Sequence, residues 1–248
     1  MTTAQSQALQ WTRQELEQKV RSLAPNVAVF DCDGTLWGGD AGLGFMNWSL
    51  EQGIVSRSTA DWIDTRHRAY RAGAIGEAQI CGEMVQIYAG LREDELRRVA
   101  AQFVAEFVLP HVFAEIAALV ASLRDRGTDI WAVSSTNKWV ICEGCRAFGI
   151  PEHRILAAEV AVKGGIITGD LVAVPTDEGK AEALAKVGLP RPDAVFGNSV
   201  HDLAMLETAV HPFPINPSPA LIEAAARNGW GYYLPETARL SLSDIAGE

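Results

Sequence analysis

Four cysteines in 248 residues are too few to staple a chain of this length, so no disulfide framework is expected. Two of them, Cys142 and Cys145, form a C-x-x-C. A four-ligand zinc site would need a second such pair or a paired-histidine motif, and the five histidines supply none at ligand spacing. The two cysteines are therefore expected as ordinary residues of a helix. No apolar run approaches the ~18 residues of a membrane span, so no membrane partner is expected. The first twenty residues, MTTAQSQALQWTRQELEQKV, lack a basic start followed by an apolar stretch. No signal peptide is expected there, and a cytoplasmic location follows. Basic residues are in deficit, 21 Lys and Arg against 31 Asp and Glu, for a net charge of −10. Such a surface repels a phosphate backbone, which argues against nucleic acid as a partner. It also requires that any site for a small anion be made locally positive. The sequence contains no internal repeat and no low-complexity tract, and it specifies no oligomeric state.

Present instead is an alternation of short apolar runs with helical stretches. Residues 8–23 place Leu9, Leu16, Val20 and Leu23 at helical spacing, and Pro25-Asn26 ends that pattern. Val27-Ala28-Val29-Phe30 reads as a strand buried on both faces. Residues 41–108 contain no convincing strand and predict helices over 58–71, 76–89 and 93–108. Alternation resumes with a helix over 112–126, a strand over 130–133, and Ser134-Ser135-Thr136-Asn137 as a turn and helix cap. Residues 157–174 predict a hairpin around Gly164-Gly165, and 178–187 a helix. Strands at 194–196 and 213–215 are each followed by a helix, over 200–208 and 219–227. This order predicts an α/β fold, a doubly wound, Rossmann-like parallel sheet interrupted by an all-helical insertion. Ligands of such sheets bind beyond the carboxyl ends of the strands.

Four segments follow predicted strands or precede helices at that edge. They are Asp31-Cys32-Asp33-Gly34-Thr35, Ser134, Lys180, and Gly197-Asn198-Ser199-Val200-His201-Asp202. Each has a plainer reading alone. Asp-Gly is turn chemistry, Ser134 could cap a helix, Lys180 could be solvated, and Asp202 could favour a helix dipole. Their joint arrival at matching strand ends would then be fourfold coincidence. Two carboxylates ~4 Å apart repel by roughly 4 kcal/mol at an effective dielectric of ~20. Asp31, Asp33 and Asp202 together therefore call for Lys180 and a divalent cation, and oxygen ligands without His or Cys favour magnesium over zinc.

In order and spacing these segments resemble the haloacid dehalogenase superfamily across residues 27–215. The first family motif, D-x-D-G-T, stands as Asp31 to Thr35; the second is Ser134 in AVSSTN, the third Lys180 in DEGKAEAL, the fourth GNSVHD. The resemblance implies Asp31 as a nucleophile forming an aspartyl-phosphate, and Asp33 as general acid and base. It implies Ser134 and Lys180 as ligands of the phosphoryl group. Mg2+ would be held by Asp31, the backbone carbonyl of Asp33, Asn198, and Asp202 directly or through water. A carboxylate at Asp33 separates phosphatases from the family's dehalogenases and ion pumps. The fourth motif departs from the family's usual Gly-Asp start by having Asn198. Either magnesium then binds more weakly or Asp202 coordinates more directly.

The helical insertion stands where the family carries a cap. The resemblance divides the chain into a core of 1–40 and 109–248 and a cap of 41–108. It is closest to the phosphoserine phosphatase branch, in which an acidic residue nine positions after the nucleophile binds the substrate amine; Asp40 stands there. The branch's cap arginine for the substrate carboxylate aligns with Met84. Trp37, Trp48, Trp62, Tyr70 and Tyr88 could form a cage for a cationic amine or simply pack the helices. The expected activity is magnesium-dependent hydrolysis of a small phosphomonoester. Alternatives are phosphotransfer to an alcohol by the same fold, and non-catalytic binding of a phosphorylated ligand.

Overall fold

The computed structural model describes residues 8–238. The reading of the N-terminal residues 1–7 and the outer ends of the core assignment lie outside them. The chain begins with β1 (Gln10–Trp11) and α1 (Arg13–Leu23), then β2 (Val27–Phe30). Four helices follow: α2 (Ala41–Glu51), α3 (Arg57–Arg71), α4 (Glu77–Gln86) and α5 (Glu93–Phe103). Next come α6 (Ala114–Asp125), β3 (Asp129–Asn137), α7 (Lys138–Arg146), β4 (Ile155–Lys163) and β5 (Ile166–Ala173). The remainder is α8 (Glu178–Lys186), β6 (Ala194–Gly197), α9 (Leu203–Thr208), β7 (His211–Pro214), α10 (Pro219–Asn228) and β8 (Tyr232–Tyr233).

Six strands form one sheet in the order β5-β4-β3-β2-β6-β7. All its pairings are parallel except the β4–β5 hairpin. β2 is central, with β3 on one side and β6 on the other. Chain order reverses there, so the crevice opens at the carboxyl end of β2. The unbroken apolar run of β2 is explained by burial on both faces. Phe30 lies on one face, stacked on Phe196 at 4.2 Å, and Phe196 stacks on Phe213 at 4.8 Å. Val29 lies on the other face among Val133, Val195, Leu184, Met205 and Leu221.

Several element boundaries differ from the sequence expectation, each for a local reason. α1 starts at Arg13, not residue 8, because Thr12 and Glu15 form a reciprocal capping box. Leu9 falls outside the helix and is exposed, and Gln10–Trp11 pair with β8. α3 is capped by Ser56 and not by Ser58. α5 stops at Phe103 and loosens into a π-helical turn over Val104–Val108. Residues 134–137 extend β3, since Asn137 still pairs with Ala158 of β4 beyond an irregularity in register. Asn137, and not Ser134, caps α7 through a hydrogen bond accepted from the Val140 amide. Cys142 and Cys145 are buried residues of α7, and all four cysteines are free.

The inserted helices are held at both ends of the insertion. The Gly38 amide donates to the His111 carbonyl and the Phe113 amide to the Leu36 carbonyl, pinning the two connections together. At the far side, backbone hydrogen bonds join Gly90 and Leu91 to Ile167, and Glu93 to Gly165, at the tip of the β4–β5 hairpin. No helix among the described residues is long and apolar enough to cross a membrane.

Candidate active site

Asp31 directly follows β2, and its amide donates to the Phe196 carbonyl of β6, which fixes it at the sheet edge. The chain then turns sharply, with Thr35 and Leu36 amides donating to the Cys32 carbonyl. Gly34 takes φ +77°, and a Cβ there would collide with the Asn198 side-chain amide. Glycine is thus required on both counts, conformation and close approach.

One carboxylate oxygen of Asp31 accepts from Lys180 Nζ at 2.7 Å and the other from Thr35 Oγ1 at 2.9 Å. Lys180 also donates to Asp202 Oδ1 at 2.5 Å, and the three side chains are at most 6 % exposed. Burial and the nearby Asp202 charge push the Asp31 carboxyl up to about 7, against the pull of Lys180. Burial opposes the charge on Lys180, but the two carboxylates outweigh it and raise its pKa. Asp33 is held independently. Its Oδ1 accepts from Trp37 Nε1 at 2.7 Å and the Ala41 amide at 2.9 Å, and its Oδ2 accepts from Thr136 Oγ1 at 2.7 Å. Burial, then the Asp40 charge, push its carboxyl up to about 6 against these donors.

Asp31, Asp33, Asp40, Ser134, Lys180 and Asn198 all line one cavity of about 260 Å³. Ser134 Oγ accepts from the Thr136 amide at 3.1 Å, leaving its proton available to a ligand. Asp202 does not line the cavity. It is fully buried, and its Oδ2 accepts from the Asn198 and Ser199 amides, both at 2.9 Å. Asp40 caps α2 by accepting from the Leu43 amide at 2.8 Å. Its other oxygen forms no hydrogen bond to another described residue that would fix it.

The donors around Asp31 and Asp33 suit a hard divalent cation. They are carboxylate and amide oxygens, and one lysine balances Asp31 and Asp202 while Asp33 has only neutral donors. No cluster of three His, Cys, Asp or Glu side chains able to hold a metal exists among the described residues. Oxygen donors of the kind around Asp31 and Asp33 suit magnesium better than zinc.

Sequence reasoning missed several participants. The hydroxyls of Thr35 and Thr136 and the Trp37 indole orient the two aspartates; Thr35 and Thr136 lay within recognised motifs but without an assigned role, and Trp37 lay outside them. Of the two readings of the aromatic residues, a cage and helix packing, the cage does not form. Of its five members only Tyr70 lines the cavity; Tyr88 is buried against Ser49, Trp62 is exposed, and Trp37 and Trp48 border a separate cavity. Glu77, at the start of α4, also lines the cavity. His201 lines it too, paired with Asp177 at 2.7 Å.

A doubly wound sheet with paired aspartates after its central strand and a helical insertion over the crevice defines a haloacid dehalogenase-type hydrolase. The model of the haloacid dehalogenase-like hydrolase family matches residues 28–207, and the chain belongs to that family. It is 26 % identical over 216 residues to a histidinol-phosphatase of Neisseria meningitidis, covering 83 % of this chain and 96 % of that one. A crystal structure of a Bordetella pertussis protein of unknown function superposes with a TM-score of 0.74 at 25 % identity, over 84 % of this chain and 97 % of that one. A substrate-bound phosphoserine phosphatase shares the fold at a TM-score of 0.58 and 15 % identity, over 89 % and 98 % of the two chains. Within its family the chain is a phosphatase, a phosphoric monoester hydrolase.

Proposed function

We propose that this chain hydrolyses a small phosphomonoester in two steps through an aspartyl-phosphate on Asp31, with residues 41–108 as cap domain and 1–40 with 109–248 as core. The observation that carries this reading is the separate seating of two carboxyls on one cavity. Asp31 is oriented by Lys180 and Thr35, Asp33 by Trp37, Ala41 and Thr136. In the first step an Asp31 oxygen bonds to phosphorus as the ester P–O bond breaks, and Asp33 passes its proton to the leaving alkoxide. In the second, a water oxygen bonds to phosphorus, its proton returns to Asp33, and Asp31 is released with inorganic phosphate. Ser134 and Lys180 would hold the phosphoryl oxygens. Magnesium, when bound by Asp31, the Asp33 carbonyl and Asn198, supplies positive charge against the phosphoryl group. The engagement of both Asp202 oxygens supports an indirect role for it, holding the Asn198 loop and Lys180 in place. The Neisseria relative's name brings histidinol phosphate forward as a candidate substrate, and Asp40, which lines the cavity, is the candidate group for its amine.

Hydrolysis of p-nitrophenyl phosphate with magnesium tests the reading; it should be abolished by EDTA and restored by added Mg2+. Asn198→Asp should lower the magnesium concentration at half-maximal rate, because a carboxylate replaces an amide in the shell. Unchanged turnover in EDTA would refute the metal assignment. The pH dependence follows from Asp33. Its carboxyl is raised to about 6, so its protonated, acid form is lost as pH rises through that value. With an alkyl phosphate, kcat/KM should decline above about pH 6. With p-nitrophenyl phosphate, whose leaving group needs no proton, the decline should be shallower.

A further inference from the structure

Asp177 stands at the N-cap of α8, the helix that carries Lys180, and it does not cap. Aspartate at this place ordinarily accepts from an amide of the first helical turn. Here the side chain accepts from no amide of α8, and its Oδ1 accepts from His201 Nδ1 at 2.7 Å. The backbone is unusual as well. Asp177 has φ +49° and ψ −127°, a region that a residue with a Cβ enters only under strain. Its carbonyl accepts from the Lys180 amide at 3.2 Å, so the strained residue sets where α8 begins.

Stability does not account for this arrangement. The His201 and Asp177 side chains are 37 % and 41 % exposed, and an exposed pair of this kind contributes little. Glycine at 177 would remove the strain, and a carboxylate turned onto the helix amides would add a cap. What the pair achieves is a connection. His201 lies in the helical turn Val200–Asp202, just after Asn198 and Ser199, and Asp177 lies three residues before Lys180. The same two segments meet a second time inside the fold, where Lys180 Nζ donates to Asp202 Oδ1. Lys180 reaches that contact through a flexible four-carbon stem, which leaves the spacing of the two backbones adjustable. The short aspartate and the planar imidazole set it.

We propose that Asp177 is a positioning residue: through His201 it holds the Asn198 loop and the start of α8 at the spacing at which Asn198 and Lys180 meet magnesium and the phosphoryl group together. The assignment rests on the phosphatase reading above, with Asn198 in the magnesium shell, and adds the device that sets its geometry. Two measurements test it: magnesium affinity, read from the rise in melting temperature with added Mg2+, and kcat and KM on p-nitrophenyl phosphate. Asp177→Gly should melt in EDTA at or above the wild-type temperature, because strain is relieved and little is lost with the exposed pair. It should need about tenfold more magnesium for half of the melting rise and lose about tenfold in kcat/KM. Asp177→Asn keeps an acceptor oxygen for His201 and tolerates a positive φ, so it should hold both quantities near the wild-type values. His201→Phe should weaken magnesium as Asp177→Gly does, and the double variant should be no worse than either single one. A lower melting temperature in EDTA with wild-type magnesium affinity in Asp177→Gly would mark a brace needed only for folding and overturn the assignment. Additive losses in the double variant would overturn it too. In either case turnover of p-nitrophenyl phosphate by wild type leaves the phosphatase reading intact. Absence of that turnover with magnesium bound overturns the phosphatase reading, and the assignment with it.

Discussion

Asp31→Asn should lose at least about a thousandfold in turnover while the metal-free protein becomes no less stable than wild type. The first half follows from chemistry, since an amide cannot form the acyl-phosphate. The second follows from the surroundings of Asp31. Burial and Asp202 raise its carboxyl to about 7, above the ordinary value of 3.8. A carboxyl whose folded pKa is raised favours the fold while protonated, and that contribution is lost as pH rises from about 4 through about 7. The amide never ionises and so escapes the loss. Its oxygen can accept from Lys180 and its NH2 can donate to Thr35 Oγ1, so both contacts persist with the Thr35 hydroxyl turned from donor to acceptor. Thermal unfolding in EDTA at pH 8 should therefore show Asp31→Asn at or above the wild-type midpoint, with the gap closing near pH 4. Added magnesium should raise wild type more than the variant. A large loss of stability in EDTA at pH 8 would contradict this account of the site.

The difference between what was legible in the sequence and what was not has a physical pattern. Strands were legible where burial on both faces leaves an unbroken apolar run, as in Val27–Phe30, and glycine and proline marked the ends of helices. The turn at Gly34 was legible because backbone conformation constrains residue type there. Contacts made by side chains across the fold were not. Trp37 lies four residues after Asp33 yet its indole is a ligand of that carboxylate, and nothing in the local pattern separates it from a packing tryptophan. Thr136 reaches Asp33 across 103 residues because β3 pairs beside β2 and continues through the residues read as a turn. Glu77 looks like any acidic first-turn residue until the fold turns α4 towards the crevice. Asp202 stood out in sequence as a charge near the metal. That its two oxygens reach Lys180 and the amides that shape the Asn198 loop was not legible there.

That bridge makes Lys180→Met the substitution with the largest expected cost to the fold. Lys180 Nζ lies 2.7 Å from Asp31 and 2.5 Å from Asp202, with the lysine 3 % exposed and Asp202 not exposed at all. Methionine fills the space but leaves two buried carboxylates facing each other without their cation. Breaking a buried ion pair from one side costs about 3–5 kcal/mol, against little net gain from the intact pair itself. For a chain of this size that is a fall in melting temperature on the order of 10 °C. The sign with pH is that of any lost salt bridge to a carboxylate, but the window lies higher because Asp31 titrates at about 7 in the fold. Without the lysine the Asp31 carboxyl loses the pull that lowers its pKa and holds its proton more tightly in the fold, so the deficit grows as pH rises and shrinks towards pH 5. Adding Asp202→Asn to Lys180→Met removes one of the stranded charges and should recover part of the stability. It should not recover activity, because the lysine proposed to hold the phosphoryl group is still missing. Melting curves of the three proteins between pH 5 and 8, in EDTA, separate these outcomes. A Lys180→Met midpoint equal to wild type at pH 8 would mean that the buried triad carries no net charge imbalance when the lysine is gone.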